Sequence, residues 1–319
     1  MNIVRFALLA LTALCTPVLA QDAYPSKPIR ILVGYAAGGG NDIIVRVMQP
    51  ELQKGLGQPV IVDNRPGAQG IIAAELAAKA EPDGYTLMMG PSGPMTINPA
   101  TYSKLRYSPT RDFAPISMIC SFPLLVTVDA KLPIRNVQEL IAYAKANPGK
   151  SFYASSAGIF QIATEMFKQR TGAQIEMAPY KSSGESVQAV IGGQVMMTIV
   201  DPPPATGAIK AGTLRALAVT SGSRHPSWPD VPTMAEAGVA DMEVPVWTAF
   251  FAPAKTPPAI IARLQREVAR VVQTPEVRER FAQMGLDPVG SSSEDLGRRV
   301  ARDIEKWTAV AKAANIKND

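Results

Sequence analysis

The chain has 319 residues, of which 47% are hydrophobic, 18% charged and 6% aromatic, and its formal net charge is +5 at pH 7. This composition excludes a disordered chain, a collagen and a coiled-coil rod, and the length favours about two domains. The positive charge is dispersed and forms no Lys/Arg block, which disfavours nucleic-acid binding and is compatible with attraction of small anions.

The first 20 residues have the three parts of a secretory signal peptide. A basic start at 1–5 is followed by an apolar run at 6–14 and by a small-residue cleavage site that ends at Ala20. A leucine precedes Cys15 where a lipobox needs a small residue, so we expect a soluble exported protein rather than a lipoprotein. Removal of this segment leaves one cysteine, Cys120, which we expect to be a small core residue.

Strand-like apolar runs alternate with helical patterns in the first part of the mature chain. We predict strands at 29–35, 60–62 and 86–89, and helices at 43–56 and 71–80. This alternation predicts a largely parallel, doubly wound sheet.

A second alternating set begins near residue 124, and three long amphipathic helices complete the chain. The second set has predicted strands at 124–128, 152–154, 175–179, 196–200 and 214–220. Its predicted helices are at 137–146, from after residue 158 to about 170, and from about 184 to 192–193. The final helices are predicted at 257–272, 275–284 and about 294–314, and the last opens with a capping box of Ser291 and Glu294.

Those final helices need a sheet face to cover, and we expect the first sheet to provide it. The chain would then cross between two α/β domains twice, near residues 122 and 246. This predicts domain 1 at 21–122 plus 247–319 and domain 2 at 123–246. Two crossings form a hinge, and a hinge creates an interdomain cleft.

Catalytic and metal-binding signatures are missing from the sequence. The mature chain has a single histidine, His225, which excludes an HExxH motif and a Cys/His cluster, and no Gly-x-Ser-x-Gly elbow is present. The glycine run 38–40 is neither a Walker loop nor a dinucleotide fingerprint. We therefore expect no catalytic residue, metal or cofactor. An enzyme that uses only carboxylates or lysine remains the alternative.

Four loops rich in glycine and serine lie between a strand end and a helix start, at 38–40, 92–93, 155–156 and 182–184. Ligands of open α/β sheets bind at such places, because helix N-termini present unpaired N–H groups and a positive dipole end. Asp42 is expected to cap its helix rather than to touch an anion. Together these loops predict a carboxylate site made of neutral donors, although each loop alone is better explained as a capped helix start.

Several longer motifs resemble the extracytoplasmic solute receptors of tripartite tricarboxylate transporters, the Bug family of periplasmic binding proteins. The resemblance covers residues 24–316. The motifs that carry it include the Gly-Gly-Gly-Asn-Asp segment at 38–42, Val-Asp-Asn-Arg-Pro-Gly-Ala at 62–68, Pro-Asp-Gly-Tyr-Thr-Leu at 82–87 and Pro-Asp-Val-Pro-Thr at 229–233.

The resemblance implies a two-domain, type II periplasmic-binding-protein fold that closes on a small organic carboxylate. We expect a monomer, the default for a diffusing receptor, that presents its ligand to a membrane permease or to a sensor. From the loops and the resemblance together we expect the ligand-binding residues to be Tyr35, Ala36, Gly38, Gly39, Gln69, Ser92, Gly93, Asn98, Ser155, Ser156, Ala157, Gly158, Tyr180, Lys181, Asp201 and Trp247. Among these, Tyr35, Tyr180 and Trp247 are candidates for an apolar wall or for packing residues, and Lys181 for a surface residue.

The chain departs from the family pattern where polar donors are usual. Tyr-Ala-Ala at 35–37 replaces Phe-Pro-Pro, Gln69 replaces a common glycine, Ile159 and Phe160 stand where serines are frequent, and Pro202 replaces an asparagine. These departures predict a more hydrophobic ligand, with aromatic carboxylates as candidates.

Overall fold

The computed structural model describes residues 24–313 and 317. The predicted signal peptide, with Cys15, lies outside the described residues. Two β-sheets organise the described chain, one with six strands and one with five. We call the six-stranded sheet with its helices lobe 1 and the five-stranded sheet with its helices lobe 2.

Lobe 1 combines the first four strands of the chain with two that follow lobe 2. These strands are β1 (Ile29–Val33), β2 (Val60–Asn64), β3 (Thr86–Pro91), β4 (Phe113–Phe122), β10 (Val246–Pro253) and β11 (Asp287–Pro288). Their order across the sheet is β11-β4-β10-β3-β1-β2. Lobe 1 is therefore formed by two separate stretches of chain.

Lobe 2 is formed by the stretch in between. Its strands are β5 (Leu125–Asp129), β6 (Phe152–Ser155), β7 (Glu176–Pro179), β8 (Met197–Val200) and β9 (Leu214–Val219). Their order is β7-β6-β8-β5-β9. The domain limits given above, to the residue, remain a prediction.

The predicted parallel pairing is found for β1, β2 and β3, but each sheet also contains a strand that runs against its neighbours. Strand β10 pairs antiparallel with both β3 and β4, and β5 pairs antiparallel with both β8 and β9. Both strands enter their sheet directly from the other lobe. They start at the end of the sheet where the parallel strands finish, so they must run in the opposite direction.

Helices cover both faces of each sheet. Lobe 1 has α1 (Gly40–Leu56), α2 (Ile71–Ala78), α3 (Asn98–Thr101), α4 (Pro109–Asp112), α9 (Pro258–Val272), α10 (Pro275–Gln283) and α11 (Ser293–Ala313). Lobe 2 has α5 (Val137–Ala146), α6 (Gly158–Thr171), α7 (Ser183–Ile191) and α8 (Pro202–Lys210). As expected, α9 and α11 pack against the first sheet, on strand β4.

Two predicted helix caps differ from the observed ones. The hydroxyl of Ser292, not Ser291, accepts the N–H of Asp295 at the start of α11, while the Ser291 hydroxyl accepts the N–H of Met118. Asp42 lies inside α1, where it accepts the N–H of Gly38 at 3.0 Å. Ser292 therefore replaces Ser291 as the cap of α11, and Asp42 binds back from the first turn of α1 to the residue before its N-cap.

Cys120 is a fully buried free cysteine, as expected, and burial raises the pKa of its thiol well above the ordinary value. Across residues 24–313, none of the helices has the length and apolar character that spanning a bilayer requires.

Candidate functional site

A small cavity lies where the two lobes meet, at the ends of the parallel strands. Its volume is about 20 Å³, which is room for about one water molecule. Lobe 1 contributes Tyr35, Gly40, Asn41, Pro91, Gly93, Phe122 and Val246, and lobe 2 contributes Ser156, Ala157, Ile159, Phe160, Ser183 and Asp201.

Direct hydrogen bonds between the lobes close the cavity. The N–H of Gly40 donates to the Ser183 hydroxyl at 3.1 Å, and the N–H of Ala36 donates to the Lys181 carbonyl at 3.2 Å. On another side, Gln69 Nε2 donates to Gln161 Oε1 at 3.0 Å. An organic molecule can therefore enter only after the lobes separate.

Thr220 joins the two chain segments that connect the lobes. Its hydroxyl accepts the N–H of Leu124 at 2.9 Å and donates to the carbonyl of Val244 at 3.2 Å. Its own N–H donates to the Leu124 carbonyl, and its carbonyl accepts the N–H of Val244, both at 3.0 Å. One buried residue thus ties both crossings of the hinge together.

Two long helices point uncapped N-termini at the cavity. Helix α1 begins after Gly39 and helix α6 after Ala157, and neither of these two residues makes a side-chain capping bond. The positive dipole ends of both helices favour an anion. At α1 the N–H of Gly40 already donates to Ser183, whereas α6 begins without such a bond from a side chain. In contrast, α7 is capped by Ser182, whose hydroxyl accepts the N–H of Glu185.

Buried polar atoms without hydrogen-bond partners are concentrated around the cavity. Seven such side-chain atoms occur in the described part of the chain, and five of them belong to residues that we predicted for the site. A buried polar group left unpaired in a native fold calls for an explanation such as an absent ligand or water. The five atoms are Gln69 Oε1, Ser92 Oγ, Asn98 Oδ1, Ser156 Oγ and Asp201 Oδ1.

Asp201 is the cavity's buried carboxyl group, with 3% of the residue exposed. It stands at the N-cap of α8 but makes no capping bond, because the first three helical residues are prolines and have no N–H. Burial raises its pKa from 3.8 to about 6, and a hydrogen bond from Ser183 partly opposes this rise.

Gln69 and Asn98 form a polar cluster next to the cavity. Both side-chain oxygens approach Gly158, the first residue of α6: a Cβ there would lie 2.9 Å from Gln69 Oε1 and 3.0 Å from Asn98 Oδ1. Asn98 Nδ2 donates to the Gln69 carbonyl at 3.2 Å, and the Tyr35 hydroxyl reaches the same carbonyl at 3.4 Å. Burial raises the pKa of Tyr35 above its ordinary value.

Fourteen of the sixteen predicted site residues fall into three groups. Tyr35, Gly93, Ser156, Ala157 and Asp201 line the cavity. Gln69, Ser92, Asn98 and Gly158 lie next to it, and Ser155 shapes its loop through a hydrogen bond to the Ala157 carbonyl. Ala36, Gly38, Gly39 and Lys181 lie at the contact between the lobes, Lys181 with its backbone carbonyl while its side chain is exposed.

Two aromatic candidates, Trp247 and Tyr180, do not line this cavity, and Trp247 fits the packing alternative. Trp247 is fully buried on the other side of β10, where its indole N–H donates to Asp303 of α11 at 2.8 Å. Tyr180 lies in a surface groove beside Gln194, whose Oε1 is 3.4 Å from its hydroxyl.

The predicted site residues left out part of the lining, although Gly40 and Ser183 stand in two of the predicted loops. The residues left out are Gly40, Asn41, Pro91, Phe122, Ile159, Phe160, Ser183 and Val246. Asn41 stands directly after the glycine run, and its Oδ1 accepts the hydroxyl of Thr248 at 3.0 Å. Phe122 and Val246 are the last residue of β4 and the first of β10, so they stand at the two crossings between the sheets.

Comparison with known proteins identifies the family. A family profile described as "Tripartite tricarboxylate transporter family receptor" matches residues 44–316. The chain belongs to this receptor family. The resemblance seen in the motifs is thereby confirmed.

Relatives of this receptor share most of its length. Protein BugT of Bordetella pertussis is 38% identical over 312 residues, which cover 97% of this chain and 95% of BugT. A structure of an R. palustris protein with adipate is 35% identical, with a TM-score of 0.89 over 92% of this chain and 99% of that one. A structure of MatC from Rhodopseudomonas palustris with bound malate is 30% identical, with a TM-score of 0.86 over 90% of this chain and 99% of MatC. The receptor therefore has the two-domain periplasmic-binding-protein fold.

Proposed function

We propose that this receptor works in the periplasm, where it captures a small organic carboxylate between its lobes and delivers it, as a monomer, to a membrane permease of the tripartite tricarboxylate type. The observation that carries the proposal is the meeting of two uncapped helix N-termini and five unpartnered polar groups around a closed interlobe cavity. The relatives with adipate and malate support the ligand class, since both molecules are carboxylates.

Neutral donors suit this task. Hydroxyl and amide groups cost less to desolvate than a buried charged group does, and each hydrogen bond to an anion contributes about 1.5–3 kcal/mol. The hydroxyls of Ser92 and Ser156 and the first N–H groups of α6 are the donors we assign to the ligand carboxylate.

Apolar side chains would contact the rest of the ligand. The cavity is lined by the side chains of Tyr35, Phe122, Ile159, Phe160 and Val246. Three of these side chains, Tyr35, Ile159 and Phe160, lie at positions where the sequence departs from the family pattern. This lining supports a hydrophobic or aromatic carboxylate.

Binding without turnover is supported by the sparse chemistry of the cavity. Among its lining residues, Asp201 and Tyr35 have titratable side chains, and burial raises the pKa of Tyr35 away from neutral pH. General acid–base catalysis requires positioned groups with pKa values near the working pH, and Asp201 has no second such group beside it among these residues.

A ligand screen tests the proposal. The mature protein is mixed with mono-, di-, hydroxy- and aromatic carboxylates, and its thermal stability is measured. A cognate ligand at a hundredfold excess over Kd should stabilise the fold by about 2.7 kcal/mol. Ser156→Ala should weaken its binding about tenfold or more, whereas the exposed Ser223→Ala serves as the control. A flat screen, or product formation detected by proton NMR, would contradict the proposal.

A further inference from the structure

Asp201 is the one charged side chain among the residues that line the interlobe cavity. Only 3% of the residue is exposed, so bulk water does not screen it. A ligand carboxylate placed against it would be repelled, because like charges in a buried site disfavour each other strongly. An acid at this position must therefore serve something other than the anionic part of the ligand.

The local chain leaves this carboxyl group free. An aspartate at an N-cap usually accepts N–H groups of the first helical turn, but Pro202, Pro203 and Pro204 have none to offer. Ser183 hydrogen-bonds to the carboxyl, while Oδ1 has no partner in the described structure. Oδ1 of Asp201 is thus an available acceptor atom among the residues that line the cavity.

Groups that can donate hydrogen bonds to an anion lie on the same lobe as Asp201. Ser156 has a hydroxyl without a partner, and α6 starts at Gly158 without a side-chain cap. The α1 N-terminus, by contrast, already faces an acid, because Asp201 Oδ2 lies against Gly40. The cavity therefore has an anion-binding pole at the start of α6 and a donor-seeking pole at Asp201.

We propose that the ligand is a carboxylate that also carries a hydrogen-bond donor, a hydroxyl or an amino group, and that Asp201 Oδ1 accepts this donor. The ligand carboxylate lies against Ser156 and the start of α6. This inference rests on the proposed function, because it assigns the polarity of the same site. Asp201 is then a specificity residue that favours hydroxy- and aminocarboxylates over their deoxy analogues.

Matched ligand pairs test this assignment by calorimetry on the mature protein. Malate is compared with succinate, and phenyllactate and phenylalanine are compared with 3-phenylpropionate, each chiral probe as both enantiomers. We expect the best donor-bearing member of a set to bind at least tenfold more tightly than its deoxy analogue. Asp201→Asn is nearly isosteric, and it should reduce that ratio to less than threefold. A larger loss for phenylalanine than for phenyllactate would identify an amino group as the donor.

Ser156→Ala is the matched control, because it should weaken both members of a pair by the same factor and preserve their ratio. Equal binding of the paired ligands by the wild type would overturn the inference. So would a screen in which only carboxylates without a donor bind, or an Asp201→Asn protein that binds every carboxylate more tightly, since Asp201 would then be an internal competitor. If no carboxylate stabilises the wild-type protein, the proposed function itself fails.

Discussion

Asp201 Oδ2 lies 1.7 Å from the position that a Cβ on Gly40 would occupy. Gly40 is the first residue of α1 in lobe 1, and Asp201 precedes α8 in lobe 2, so this contact spans the cleft. Gly184 shows the same relationship, since a Cβ there would lie 2.5 Å from the Gly38 carbonyl oxygen. The lobes approach this closely because these positions have no side chain.

Gly40→Ala should therefore hinder closure. Overpacking a tight contact costs about 1–3 kcal/mol, so we expect the tightest-binding carboxylate of the screen to lose about tenfold or more in affinity. The free energy of unfolding should change by less than about 1 kcal/mol, since alanine is favourable within a helix. Calorimetry measures the loss of affinity, and small-angle X-ray scattering measures whether the lobes still close.

Gly207→Ala in α8 is the matched control, because a Cβ there meets nothing within 4 Å. It should bind like the wild type. Wild-type affinity in Gly40→Ala would show that ligand capture does not need this contact.

The buried carboxyl of Asp201 should also make stability depend on pH. Because its pKa rises from 3.8 to about 6 on folding, the folded protein keeps a proton that the unfolded chain releases between these values. The free energy of unfolding should therefore fall as pH rises from about 4 to 6, by up to about 3 kcal/mol from this group. Urea unfolding of wild type and Asp201→Asn at several pH values measures it.

Hydrogen bonds from Arg46 and Arg111 hold the pKa values of Asp42 and Asp112, respectively, below the ordinary one. These two groups therefore make the free energy of unfolding rise with pH, opposite to the effect of Asp201. The difference between wild type and Asp201→Asn isolates the contribution of Asp201. An equal pH dependence in both proteins would rule out a raised pKa at this residue.

The alternation of strands and helices could be predicted from the sequence, but strand direction could not. Hydrophobic periodicity can indicate that a segment is a strand, but it carries no information on which neighbours a strand such as β10 pairs with. Helix α8 was not predicted, because Pro202, Pro203 and Pro204 were interpreted only as the end of the strand at 196–200. Proline is tolerated in the first turn, where the N–H groups have no helical partner.

For the site, the sequence identified loops more reliably than individual side chains. Ser156 was predicted because it follows a strand end, where helix N-termini converge, and Asp201 was predicted from the resemblance to the receptor family. On β10 the prediction selected Trp247, whereas Val246 is the residue that lines the cavity. Successive residues of a strand face opposite sides, so an error of one position moves a side chain from the cavity into the core of lobe 1.

Thr220 should be a stabilising residue of the hinge. Thr220→Val removes the hydroxyl that binds Leu124 and Val244 and leaves a buried N–H without its acceptor. We expect a loss of about 1–3 kcal/mol in the free energy of unfolding, measured with urea. Thr220→Ser keeps the hydroxyl and should lose less than Thr220→Val does. Equal losses in the two variants would assign the effect to packing.

Trp247 should contribute to stability and not to binding. Its indole N–H donates to Asp303 Oδ2, which also accepts Arg299 Nε at 2.6 Å. Trp247→Phe removes one bond to a buried charged acceptor, so the free energy of unfolding should fall by about 1–3 kcal/mol. Carboxylate affinity should stay within about twofold of wild type, because no atom of this side chain lines the cavity. Phe160→Ala, which alters the lining itself, is the contrasting variant and should weaken binding. A Trp247→Phe protein with normal stability and impaired affinity would show that Trp247 contributes to binding.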